Sequence, residues 1–341
     1  MGLSLKRPGL LLGLCLAGLL AGCATFGLVT GTGLDQAWQQ MGDGGPQAAL
    51  AQGDLPEAYR SERIRHHVDN AQDACQGVAS AGARTAQQAE IAELFEILRK
   101  SALARTLLRQ ASHGNAVVCL DDDTALLAYY FSGLRLIALR ANLSQAERVV
   151  YLSHELAHVP QHPVYSDNRY FPPQDLVLLR RIREAAAEAT ATRIAWQLAE
   201  AGYEEAWRAK RRGVYGDLAT TFQETIGVRR GEFAELEASR AAFDQWFAES
   251  WRLDTYDRMT IDHLSRLAED EIGLVSPRLH LSHGFLTGIG RHGERNFLTE
   301  TKGRRLTDRA YSGSLSSENG DLLQSLLSAP RDSILSLGFW S

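Results

Sequence analysis

Residues 142–161 read NLSQAERVVYLSHELAHVPQ, and this stretch decides how the chain is read. Ser144 followed three residues later by Glu147 is a capping box, which opens a helix. Val149, Val150, Leu152 and Leu156 then supply an apolar face at helical spacing. Pro160 is expected to end the helix, because a proline disfavours the α region in the residue before it. Inside it lies His154-Glu155-Leu156-Ala157-His158. Two imidazoles four residues apart share one face of a helix and can hold one zinc ion, with Glu155 beside them. Zinc acidifies a bound water, and a neighbouring carboxylate can take the proton.

A catalytic zinc site wants a third protein ligand and an open position. His162 lies four beyond His158, but Pro160 between them breaks the shared face. The spacing HExxHxxGxxH is absent. The next helix, expected from about Pro173 to Ala201 with Gly202 as its C-cap, is the better source. It carries Glu184 and Glu188 one turn apart among alanines, which permit close approach to another helix. A carboxylate there needs a partner, and a divalent cation is one. The alternative is an acidic face paired with Arg180 or Arg183.

HExxH followed by Glu184-Ala185-Ala186-Ala187-Glu188 resembles the gluzincin metallopeptidases. The resemblance implies Glu184 as the third zinc ligand and Glu188 as a residue orienting a ligand, with Glu188 standing where many relatives have Asp. Which of Glu184 and Glu188 ligates stays open. Residues 117–198 also resemble uncharacterised bacterial metallopeptidase-like lipoproteins, in which a Gln and an Arg-Glu-Ala helix follow HExxH; Gln161 and Arg183 fit. The implied activity is amide hydrolysis, with zinc on His154, His158 and Glu184 and with Glu155 as general base and proton carrier. In gluzincins an edge strand before the active helix pairs with extended substrate; here that strand is expected at Leu134–Ala141. An oxyanion stabiliser is also implied, and Tyr165, Tyr170, His263, His280 and His283 are available.

The fold expected around this motif is α+β and mainly α, a zincin-like core with a small hairpin or sheet beside the active helix and a large helical remainder. Residues 116–120 are a short β-prone run. Tyr129 to Leu139 reads as a hairpin turning at Ser132-Gly133. From Pro56 to Arg109 two helices are expected, broken near Gly82. Residues 203–271 read helical again, with Trp207, Phe222, Phe233, Phe243, Trp246, Phe247, Trp251 and Tyr256 as buried anchors. Past residue 273 the pattern loosens.

The ends carry other information. Lys6 and Arg7 precede an uncharged apolar run of about fourteen residues, Gly9 to Gly22. That is shorter than the roughly 20 a membrane-spanning helix needs and fits a secretory signal. Leu20-Ala21-Gly22-Cys23 resembles a bacterial lipobox, which implies cleavage after residue 22 and lipidation of Cys23. Ala24 behind it resembles Gram-negative lipoproteins of the outer membrane, facing the periplasm. Residues 23–55 read as a Gly-rich tether, 56–272 as the metallopeptidase-like domain, and 273–341 as a C-terminal region packed on it. In an oxidising compartment Cys75 and Cys119 are a candidate disulfide.

The chain has 341 residues, 36 Lys and Arg against 41 Asp and Glu, and a net charge of −5. That mild acidity argues against a nucleic-acid partner. The four cysteines include no CxxC pair, which argues against a zinc finger. The expected partners are a peptide or protein substrate and a membrane reached through the lipid. Two alternatives remain at this level. One is a non-catalytic envelope scaffold or binding module on a peptidase-like fold. The other is a zinc hydrolase of a cell-wall or small amide, which the same chemistry would serve.

Overall fold

The computed structural model describes residues 74–80, 82–121, 127–161, 171–269 and 281–328. The lipobox, Cys23 and the tether lie outside these residues, as do His162, Tyr165, Tyr170 and His280. The fold is α+β and mainly α. Two helices come first, α1 (Ala86–Leu98) and α2 (Ala102–His113), followed by α3 (Gln145–Gln161) and α4 (Pro173–Glu200). Then come α5 (Glu204–Arg212), α6 (Gly216–Ile226), α7 (Glu232–Trp246) and α8 (Ser250–Glu269). Four strands, β1 (Cys75–Gly77), β2 (Val117–Asp121), β3 (Ala128–Phe131) and β4 (Leu136–Arg140), form a mixed sheet in the order β1-β2-β4-β3. The C-terminal part adds short helices α9 (His283–Thr287), α10 (Arg309–Ser312) and α11 (Ser317–Ser328) and a small ribbon of β5 (Arg291–His292) and β6 (Arg295–Asn296).

The local chemistry accounts for most boundaries. Thr85 caps α1 by accepting from the Gln88 amide, and Ser101 caps α2 by accepting from the Ala104 amide. The turn expected at Gly82 is present, with Gly82 at φ 79° ahead of α1, and residues 99–101 add a further break between α1 and α2. The chain between Pro56 and Arg109 is also not all helix. Cys75–Gly77 is a strand, too short to leave a periodic signature. The capping box forms as read: Glu147 accepts from the Ser144 amide at 2.9 Å and from its hydroxyl at 2.6 Å. Pro160 does not stop α3 ahead of itself; it sits in the last turn, and the helix closes one residue later at Gln161.

The hairpin is present, with β3 antiparallel to β4, and its turn uses Arg135 at φ 49°. The expectation that Leu134–Ala141 is an edge strand is wrong. β4 lies inside the sheet, parallel to β2 on one side and paired with β3 on the other. The edges are β1 and β3. Residues 136–139 are buried on both faces, which explains why their sequence does not alternate cleanly.

Helix α3 packs on β3 and β4 with one side and along α4 with the other. α4 is the centre of the molecule, touching α5, α7 and α8 as well. It is buried almost all round, although it carries Arg180, Arg181, Arg183, Glu184, Glu188 and Arg193. Ala185, Ala186, Ala187, Ala189 and Ala191 are all fully buried and let neighbours approach this backbone. The charges must then be matched inside the protein. Arg181 is matched by Asp257 of α8, through contacts of 2.7 and 2.5 Å. Its remaining nitrogen donates to the carbonyls of Tyr311 and Ser312, which binds the C-terminal part to the core. Of the aromatic anchors, Phe222, Phe243, Trp246 and Tyr256 are buried, whereas Phe233 is 59% exposed at the start of α7.

Candidate metal centre

The third and fourth helices bring His154, His158 and Glu184 together in the interior. The Nε2 atoms of His154 and His158 are 2.9 Å apart. Glu184 Oε2 is 3.5 Å from the first and 3.8 Å from the second. Ligands bound at 2.0–2.1 Å to a tetrahedral ion sit about 3.4 Å from one another. The three observed separations bracket that spacing. All three side chains are buried, and neither Glu184 oxygen receives a well-aligned hydrogen bond. A fully buried carboxylate without a donor, facing two imidazole nitrogens, is a donor set suited to a divalent cation.

The surroundings hold these atoms in place. Gln161 Oε1 lies 2.8 Å from His158 Nδ1, and its amide reaches the Arg183 carbonyl at 3.5 Å. Glu188 Oε1 lies 3.0 Å from His154 Nδ1, and its other oxygen is paired with Lys210 of α5. His158 is thus held through Nδ1, Glu188 lies close to His154 Nδ1 without hydrogen-bond alignment, and both Nε2 atoms are turned towards Glu184. Arg180 Nε stands 2.9 Å from Glu184 Oε1, close but not aligned as a hydrogen bond.

Electrostatics follow from this packing. Burial works against a charge on His154, but Glu188, Glu184 and Glu155 outweigh it and push the pKa up to about 10. Burial dominates at His158 and, with His154 and Arg180, lowers it to about 3 against the pull of Glu184. Burial alone would raise Glu184 and Glu188. Arg180 and the two imidazoles hold Glu184 below the usual range, and Lys210 with His154 holds Glu188 at about 2. Burial and the neighbouring Arg180 lower Arg183 to about 10, against Glu184.

A family model described as "Putative metallopeptidase family (DUF6782)" matches residues 67–297. The chain belongs to this family. The match to DUF6782 runs from before β1 to β6 and contains α3, α4 and every residue of the cluster above. A metallopeptidase family implies a metal, and the buried His154, His158 and Glu184 set is suited to hold one. No curated protein and no solved structure matches the chain.

The structure thus converges three of the residues singled out in the sequence and sets Glu188 against His154. Glu155 is fully buried next to His154. Cys75 and Cys119 face each other across β1 and β2 and are joined by a disulfide. Of the oxyanion candidates, His283 accepts from the Leu306 amide at 3.1 Å and so serves the C-terminal part, while His263 is buried on α8. Lys210, the partner of Glu188, had no role in the sequence reading, whereas Arg180 stands beside Glu184 as the alternative pairing expected, and Gln161, noted in the resemblance, is the partner of His158. Gln161 and Arg180 carry local signals, spacings of three from His158 and of four from Glu184 on their own helices.

Proposed function

We propose that this DUF6782 member is a zinc-dependent peptidase of gluzincin type, with His154, His158 and Glu184 as ligands. The observation that carries the reading is the set of separations of 2.9, 3.5 and 3.8 Å among three buried donor atoms. Zinc bound there supplies Lewis acidity and a water of lowered pKa. Glu155, one residue from the first histidine, takes the proton of the attacking water on its carboxylate and passes it to the leaving amine. Gln161 holds His158 and Glu188 flanks His154, each at Nδ1, while Lys210 balances Glu188 and Arg180 stands against Glu184. Edge strand β3, packed on α3, is positioned to pair with an extended peptide; β4 is not.

The lipobox-like Leu20–Cys23 supports an envelope location, with a lipid on Cys23 and the outer membrane as the site of anchoring. The Cys75–Cys119 disulfide agrees with an oxidising compartment. Radiolabelled palmitate incorporation that disappears in Cys23→Ser supports the anchor; retained label removes it. The catalytic reading is tested by Glu155→Gln on a fluorescently labelled unfolded protein. Turnover falls about 10²–10⁴-fold while zinc content is unchanged. Unaltered turnover contradicts Glu155 as the base.

A further inference from the structure

Arg183 is an oddity of α4. It is only 5% exposed, and its Nε is completely buried without a hydrogen-bond acceptor. Among the described residues no carboxylate lies in ion-pair contact with its guanidinium. The other buried charges of this helix are all served: Arg181 by Asp257, Arg193 by Glu235, Glu188 by Lys210, with Arg180 against Glu184. A buried, unpaired cation is costly to a fold. At 100° per residue Arg183 falls on the Arg180 flank of the face that carries Glu184. The Arg183 carbonyl receives Gln161, the partner of His158, which ties the Arg183 backbone to the His158 side of the centre, and the Arg183 guanidinium lies within electrostatic reach of Arg180 and Glu184.

The charges point to what is missing. The cluster holds three carboxylates, Glu155, Glu184 and Glu188, and three cations, Arg180, Arg183 and Lys210, all buried. These balance. A divalent ion between the histidines adds two positive charges, and an anion entering with the substrate offsets part of that excess. Lys210 and Arg180 already face carboxylates of the protein. The planar guanidinium of Arg183 has its donors in a fork that matches a carboxylate.

We infer that Arg183 is a substrate-binding residue that receives a carboxylate of the peptide, beside the bond to be cleaved. The inference rests on the peptidase reading above and adds a substrate class to it: peptides with a free C-terminus or an acidic side chain next to the scissile bond. No bond is made or broken at Arg183; it binds the ground state.

The test uses the full chain, zinc-loaded, in the Glu155→Gln background so that probes are not consumed. Three probes are titrated calorimetrically: N-acetyl-tetra-alanine with a free carboxylate, its C-terminal amide, and an amidated version with one internal aspartate. At least one charged probe binds about tenfold or more tightly than the neutral amide. Adding Arg183→Gln abolishes that advantage. Preference for the first charged probe identifies the terminal carboxylate, and preference for the second an acidic side chain; either supports the proposal. Equal binding of all three, or an advantage that survives Arg183→Gln, overturns it. Zinc content of the same samples separates the two readings, since a protein that takes no zinc contradicts the peptidase itself. Melting of the metal-free protein gives an independent check. Arg183→Met, which removes the unpaired cation, raises Tm by about 3 °C. A fall in Tm means that the fold itself holds the guanidinium, and overturns the proposal.

Discussion

Gln161 holds His158: its side-chain oxygen lies 2.8 Å from Nδ1 of the imidazole, within the same helical turn. An amide oxygen only accepts, so Nδ1 carries the hydrogen and Nε2 presents its lone pair to Glu184 and His154. The same amide is tied to α4 through the Arg183 carbonyl, so one side chain sets both a tautomer and the distance between two helices. Gln161→Leu removes both links. Metal affinity should fall about 10–100-fold, by competition against a chromophoric chelator, with the circular dichroism spectrum retained. Unchanged affinity would show that the His158 ring is positioned by packing alone.

Lys210 tests the other histidine. It reaches Glu188 from α5, and Glu188 reaches His154. Lys210→Met leaves a buried carboxylate uncompensated, a loss of about 3–5 kcal/mol in urea unfolding. The double variant Lys210→Met with Glu188→Gln should recover much of this, because both charges are then gone. A double variant no more stable than the single one would mean that the pair is not coupled.

The disulfide between Cys75 and Cys119 closes a loop with a sequence separation of 44 and fastens β1, the first described strand, to the sheet. Chain entropy for such a loop is worth about 4 kcal/mol. Cys75→Ser together with Cys119→Ser should lower stability by a loss of that order while leaving β2, β4 and the metal cluster in place. The expected readout is a lower urea midpoint with unaltered zinc stoichiometry. Loss of zinc binding in the double serine variant would show that the sheet, and with it α3, depends on the crosslink.

Asp257 answers Arg181, which in turn holds the carbonyls of Tyr311 and Ser312. Asp257→Ala should cost about 3–5 kcal/mol, since an unpaired arginine stays buried. It should also make the segment around residues 309–313 the first site of proteolytic cleavage. Asp257→Ala protein that resists protease there as well as wild type does would contradict the clasp.

The legible parts were those written within one element. Ser144 and Glu147 cap α3 as their spacing indicates, and His154 and His158 share a face because a helix turns in 3.6 residues. The alanine-rich surround of Glu184 signalled a close helix contact, which is α4 against α3. What was hidden depends on long-range pairing. That β4 takes β2 as a parallel neighbour, and so leaves the edge, is decided by the connection through β3 and its turn rather than by any residue in β4. β1 has three residues and no period to read. Lys210 lies 22 positions from Glu188 on an otherwise ordinary basic stretch. Phe233 looked like its aromatic neighbours but falls on the outer side of α7. A buried arginine without a partner, such as Arg183, can be recognised only once everything around it has been placed.

The central claim is that one zinc ion sits between α3 and α4. It is tested most directly by a crystal structure of the zinc-loaded chain with anomalous data collected on both sides of the zinc edge. The account predicts a single anomalous peak within about 2.0–2.2 Å of His154 Nε2, His158 Nε2 and a Glu184 oxygen, with Glu188 remaining on His154 Nδ1. A peak elsewhere, a peak lacking Glu184, or fully buried histidines with no peak between them would contradict it.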